Sequence, residues 1–76
     1  SPLTRLAERA MTVTVNGQCW ELPDGCTLAD VLERFGVPSY GVAVALDGAV
    51  VPRAFWPGTS LRPGARIDVL TAAQGG

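Results

Sequence analysis

The sequence predicts an α+β domain of two layers, a mixed sheet of four to five strands with one main helix packed on one face. Three stretches lead there. Thr12-Val13-Thr14-Val15 alternates at period two and runs into Asn16-Gly17, a β-hairpin signal. Leu28, Val31, Leu32 and Phe35 fall at helical spacing and form one apolar stripe. Ile67 to Thr71 closes the patterned sequence as a second strand-like run. A single amphipathic helix must bury its stripe, and an apolar sheet face is the partner this chain can offer. With 76 residues, one domain accounts for all of it.

Each element follows from local chemistry. A two-residue turn at Asn16-Gly17 needs two positive φ angles, which Asn and Gly tolerate. That turn sets Val15 opposite Gln18 and Val13 opposite Trp20. Trp20 and Leu22 then share the buried face with Val13 and Val15, while Thr12, Thr14, Cys19 and Glu21 point outward. Pro23-Asp24-Gly25 ends the second strand. Thr27 is placed to cap the helix, with Asp30 three residues on in the positive first turn. The helix runs for about nine residues and needs tertiary packing to hold it. Gly36 is expected as its left-handed terminator, and Pro38 prevents its return. Cys26, just before the cap, can staple to Val31.

Gly41 to Leu46 reads as a third strand with Val42, Val44 and Leu46 on one face and Ala43 and Ala45 on the other. Asp47-Gly48 is a second hairpin signal, followed by a short strand from Ala49 to Val51 that Pro52 stops. Arg53 to Gly58 is expected to be an irregular turn or a 3₁₀ segment. Arg62-Pro63-Gly64-Ala65 suits a type II turn, with Pro63 and Gly64 at its centre. In the last strand Ile67 and Val69 share one face, Asp68 and Leu70 the other. A final apolar strand reached by long crossovers is most simply placed at the centre of the sheet, beside the first. Hairpin, helix and returning strands in that order describe a ubiquitin-like β-grasp. Residues 1–10 read as an N-terminal extension, native or added, that is expected to be disordered, with a short helix as the alternative (Leu3, Leu6, Ala7 and Ala10 have helical spacing); residues 11–71 read as the β-grasp and residues 72–76 as a flexible tail.

Composition narrows the function. A content of 47% hydrophobic residues suits a folded domain and argues against disorder. The six basic residues are all Arg and scattered, so there is no basic stripe for nucleic acid. No apolar run is long enough for a membrane span, and no secretory signal opens the chain, which makes the cytoplasm the expected compartment. Two Cys without any His cannot complete a tetrahedral zinc site. Acid–base catalysis ordinarily uses a His or paired carboxylates. Here the seven acids lie at turns, strand faces and helix ends. Cys26 is the one thiol near a helix N-terminus, and inert packing is its plainer role. Trp20, Phe35, Phe55 and Trp56 are expected in or against the core. No catalytic residue and no bound cofactor or metal is expected.

The remaining reactive group is the end of the main chain, Gln74-Gly75-Gly76. A carboxylate is a poor electrophile until it is coupled to AMP, which leaves readily. Sulfide or a persulfide can then displace AMP to give a thiocarboxylate. Each step needs a partner pocket that closes around the last backbone atoms. Gly75 and Gly76 lack a Cβ and permit that approach. Residues 72–76 fully extended reach roughly 17 Å, enough to thread a channel while the body docks outside. Gly-Gly alone is a modest signal; its place on a small domain with no other chemistry gives it weight.

Residues 11–76 resemble the bacterial sulfur carriers of thiamin biosynthesis, the ThiS type of ubiquitin-like protein. The resemblance rests on Val13-Thr14-Val15-Asn16-Gly17, Thr27-Leu28-Ala29-Asp30-Val31-Leu32, Ala45-Leu46-Asp47, Val50-Val51-Pro52-Arg53 with Trp56 following, and Gly75-Gly76. Val-Pro-Arg-x-x-Trp is the more specific of these. The resemblance implies a protein co-substrate rather than an enzyme. An E1-like adenylyltransferase (ThiF-type) would activate Gly76 with ATP and magnesium, a sulfur donor system would make the thiocarboxylate, and a thiazole synthase (ThiG-type) would take the sulfur. Gly75 and Gly76 carry over as functional residues; Arg53 and Trp56 match the pattern as a partner-docking pair or as structural supports. Related carriers for molybdopterin or cysteine synthesis share fold and tail. A ubiquitin-like modifier does too, although a chain without Lys cannot accept itself on a side chain.

Overall fold

The computed structural model describes residues 9–38 and 40–71. Residues 1–8 of the expected appendage over 1–10, and the expected tail over residues 72–76, lie outside the described residues. Five strands, β1 (Ala10–Val15), β2 (Gln18–Pro23), β3 (Val42–Leu46), β4 (Ala49–Val50) and β5 (Arg66–Thr71), form one sheet in the order β2-β1-β5-β3-β4. The helix α1 (Leu28–Arg34) and a 3₁₀ segment (Arg53–Gly58) complete the described elements. The β1–β5 pair is parallel and the other pairs are antiparallel. The final strand therefore sits at the centre beside the first, as the crossovers predict.

Both hairpin turns take the conformation their sequences specify. Asn16 and Gly17 have φ of 49° and 84°, and Asp47 and Gly48 have φ of 51° and 89°. Two consecutive positive φ angles define the type I′ turn, whose twist matches that of paired strands. The first turn fixes the predicted register, with Val15 opposite Gln18 and Val13 opposite Trp20. β1 begins at Ala10, opposite Pro23, so the strand takes in one residue expected in the extension. Met11 is buried in the core.

α1 is bounded by side-chain and backbone caps at both ends. Thr27 Oγ1 accepts from the Asp30 amide at 3.2 Å, and Asp30 Oδ2 accepts from the Thr27 amide at 3.0 Å. This reciprocal pair satisfies two donors that the helix start would otherwise leave open. At the other end Gly36 (φ 72°) donates to Glu33 O, and Val37 donates to Leu32 O. Those two bonds are the Schellman pattern, which Gly adopts without steric cost. A strap crosses the helix start: Leu28 N donates to Thr59 O and Leu61 N to Cys26 O. The helix thus joins the segment after the 3₁₀ turn through backbone bonds as well as packing.

The core lies between α1 and one sheet face. Leu28, Val31 and Leu32 from α1 meet Met11, Val13, Val15, Leu22, Val44 and Ile67 from the strands, with Trp56, Leu61 and Ala65 closing the far side. Cys26 is buried with them, in the same cluster as Val31.

Two aromatics depart from expectation. Trp20 has the predicted register but remains 42% exposed. β2 is one of the two edge strands, and the seven-residue helix leaves this position partly uncovered. The Phe35 ring, just beyond the helix, meets Trp20 edge to face, with centroids 4.2 Å apart. Phe55 is 63% exposed because the 3₁₀ turn sends Trp56 inward and its neighbour outward.

Candidate functional site

β5 carries the chain toward Gly75 and Gly76, which themselves lie outside the described residues. Its position is fixed from both sides by the two hairpin turns. On one flank the Asn16 amide donates to Ile67 O at 2.9 Å, and Asn16 Oδ1 accepts from the Val69 amide at 2.7 Å. On the other the Asp47 amide donates to Arg66 O at 2.7 Å, and Asp47 Oδ1 accepts from the Arg66 amide at 2.9 Å. Each turn-forming side chain therefore supplies one extra rung to the strand that leads to the tail. Sequence reasoning identified Asn16 and Asp47 as turn residues and missed this second role. The spacing of 53 residues between Asn16 and Val69 offers no local signal for it.

The sheet face away from α1 is bare among the described residues and divides in two. Thr12, Thr14, Cys19 and Glu21 make its polar half on β1 and β2. Ala43, Ala45, Val50 and Leu70 make an apolar half on β3, β4 and β5, with Ala43 opposite Leu70 and Ala45 opposite Val50. Val50 is 71% exposed and Leu70 67%. Asp68, opposite Ala45, pairs with Arg66 Nε at 3.4 Å on this surface. A groove lined by Gly41, Val42, Ala43, Leu70 and Thr71 lies where β5 ends. The apolar half thus leads directly to the base of the tail.

Arg53 and Trp56 are brought to one place on the opposite side. They line a cleft of about 450 Å³ between α1 and the 3₁₀ segment, with Ala29, Leu32, Glu33, Val37 and Pro57. Trp56 is only 6% exposed, and its Nε1–H donates to Val51 O at 2.8 Å. A buried indole with its N–H satisfied is a packing anchor. Arg53 is exposed.

Among the described residues no polar or charged side chain is buried, and no cluster of His, Cys, Asp or Glu could hold a metal. Cys26 is a buried free thiol and Cys19 an exposed one. No helix among the described residues is long and apolar enough to cross a membrane. What the fold does build is a central strand bonded on both flanks, with an apolar face beside it, that runs to Thr71.

The family model for ThiS matches residues 9–76. The chain belongs to the ThiS family. The match runs through the terminal Gly75-Gly76, and membership supports a sulfur-carrier role exercised with partner enzymes. Among solved structures, the thiamine biosynthesis protein ThiS from Geobacter metallireducens is similar, with 25% sequence identity and a TM-score of 0.71. That match covers 80% of this chain and 93% of the Geobacter chain, so the ThiS β-grasp fold is shared over nearly the whole of the latter. Comparison with curated protein sequences gives no match.

Proposed function

We propose that this ThiS-family chain carries sulfur as a thiocarboxylate on Gly76 and donates it for synthesis of the thiamin thiazole. The carboxylate attacks the α-phosphorus of ATP on an E1-like adenylyltransferase (ThiF-type), which holds the magnesium; an acyl-adenylate forms and pyrophosphate leaves. Sulfide from a donor system then attacks the acyl carbon, AMP leaves, and the product is the thiocarboxylate. A thiazole synthase (ThiG-type) takes the sulfur. In this reading the chain is a co-substrate working in the cytoplasm and binds no cofactor of its own.

The observation that carries the reading is the family match extending to residue 76 on a domain whose central strand leads to that end. The apolar half-face formed by Ala43, Ala45, Val50 and Leu70 serves as the docking surface, since burial of exposed apolar side chains beside the tail favours association. Trp56 supports the 3₁₀ segment from within, and Arg53 is the member of that pair at the surface.

The test is intact mass spectrometry after incubation with the adenylyltransferase, ATP, magnesium and a sulfide source. The expected result is exchange of one oxygen for sulfur, localised to Gly76 by fragmentation. Conjugates to protein amines in place of that exchange would make the chain a modifier. Deleting Gly76 should abolish the exchange and leave the melting temperature unchanged; a deletion that unfolds the domain would refute the role given to the tail.

A further inference from the structure

The two flanks of β5 are paired to different lengths. Toward β3 the pairing runs the full distance, from Leu46 opposite Ile67 to Val42 opposite Thr71. Toward β1 the ladder has only Thr14 opposite Arg66 and Val15 opposite Ile67. β1 then turns away at Asn16-Gly17, and the Asn16 side chain supplies the last rung, to the Val69 amide.

Strand alternation says what this leaves open. Arg66 O accepts from Asp47 N, so Arg66 faces β3, and so do Asp68 and Leu70 at period two. Ile67 and Val69 face β1, as their bonds to Asn16 confirm. Thr71 faces the same way. Past Asn16, the Val69 carbonyl and the Thr71 amide and carbonyl therefore have no strand beside them among the described residues. An open edge of this kind is a template for another extended backbone.

The geometry points to this edge, Val69 to Thr71 on the β1 side, as the place where the adenylating partner lays an extended segment against β5. The inference rests on the function proposed above: an enzyme that encloses Gly76 must approach along the strand that leads there. The Val69 and Thr71 groups offer two acceptors and one donor at strand spacing, which an extended main chain matches and a helix does not. Leu70, projecting from the bare face between them, gives the added segment an apolar neighbour. Asn16 ends the internal ladder where the external one begins. The partner's segment thus becomes a strand next to β5, and strand pairing rather than side-chain contact sets the direction in which the tail enters the pocket.

The test follows the Thr71 amide by hydrogen exchange, with adenylation of Gly76 read separately by mass. In the free chain Thr71 N–H should exchange rapidly while Leu70 N–H, facing β3, is protected. Adding the purified adenylyltransferase with ATP and magnesium should slow Thr71 exchange at least about tenfold. A synthetic chain with an ester in place of the Thr71 amide removes only that N–H. It should melt like the parent and raise the KM for adenylation several-fold. An ester at position 70 is the contrast and should lower the melting temperature. If Gly76 is adenylated while Thr71 exchanges as fast as in the free chain, the strand-addition proposal is overturned and the carrier reading survives. Protection of Thr71 that grows with carrier concentration in the absence of enzyme would assign the edge to a second copy and overturn the proposal too. If the parent chain is not adenylated at all, both readings fail together.

Discussion

The two faces of the sheet do opposite work. The face under α1 holds Val13, Val15, Val44 and Ile67, all nearly inaccessible, and closes over them with a capped helix and a buried indole. The other face carries Val50 and Leu70 in the open beside small alanines. Side chains of similar character are therefore committed to internal packing on one side and exposed on the other. In so small a domain that division matters: a single helix covers one face, and the face left uncovered among the described residues is the one proposed above for docking.

Substitutions on the two faces should separate these roles, and the largest effects belong to the covered face. Trp56→Ala removes an indole and its bond to Val51 O and should cost about 3–5 kcal/mol, measured by urea denaturation. Against a typical stability of about 5–15 kcal/mol for a native protein, a loss of that size leaves little margin. Leu28→Ala, at a site with no exposure, should cost about 2–5 kcal/mol by the same measurement. Thr27→Ala removes one half of the reciprocal cap and should cost about 1 kcal/mol. Leu70→Ser belongs to the bare face. It should change stability by no more than about 0.5 kcal/mol and raise the KM for adenylation several-fold in a pyrophosphate-release assay. A Leu70→Ser chain that unfolds early yet is adenylated normally would invert the contrast.

Asn16 stands between the two classes. It holds φ 49° in the turn and also bonds Val69. Asn16→Gly should keep the turn and lose only the rung, at about 0.5–1.5 kcal/mol. Asn16→Ala should cost more, because it also places a Cβ at positive φ without the local hydrogen bonding that eases Asn there.

How much of this was legible in the sequence depended on range. The first hairpin register, the Thr27 cap, the Gly36 terminator and the Pro63-Gly64 turn are decided within a few residues, and each is found where the local chemistry puts it. The central placement of β5 was also legible, because an apolar strand after long crossovers has few other places to go. The failures are matters of coverage. Register correctly gave the face of Trp20, but its exposure depends on how far α1 extends over the edge strand. Phe55 and Trp56 are adjacent and similar in composition, and only the phase of the 3₁₀ turn decides which is buried. The second role of Asn16 lay beyond any local window. Of the candidate site, the sequence pointed to the terminal glycines, while the bare half-face and the open edge of β5 came from the sheet order.

The polar half of the bare face carries one further consequence. Cys19 is an accessible thiol there, opposite Thr14, while Cys26 is enclosed in the core. The two differ so widely in access that a maleimide dye should attach at Cys19 alone in the folded state. Fluorescence from that single position, on the same surface as Leu70 but two strands distant, would report arrival of an enzyme in real time without altering the residues it grips.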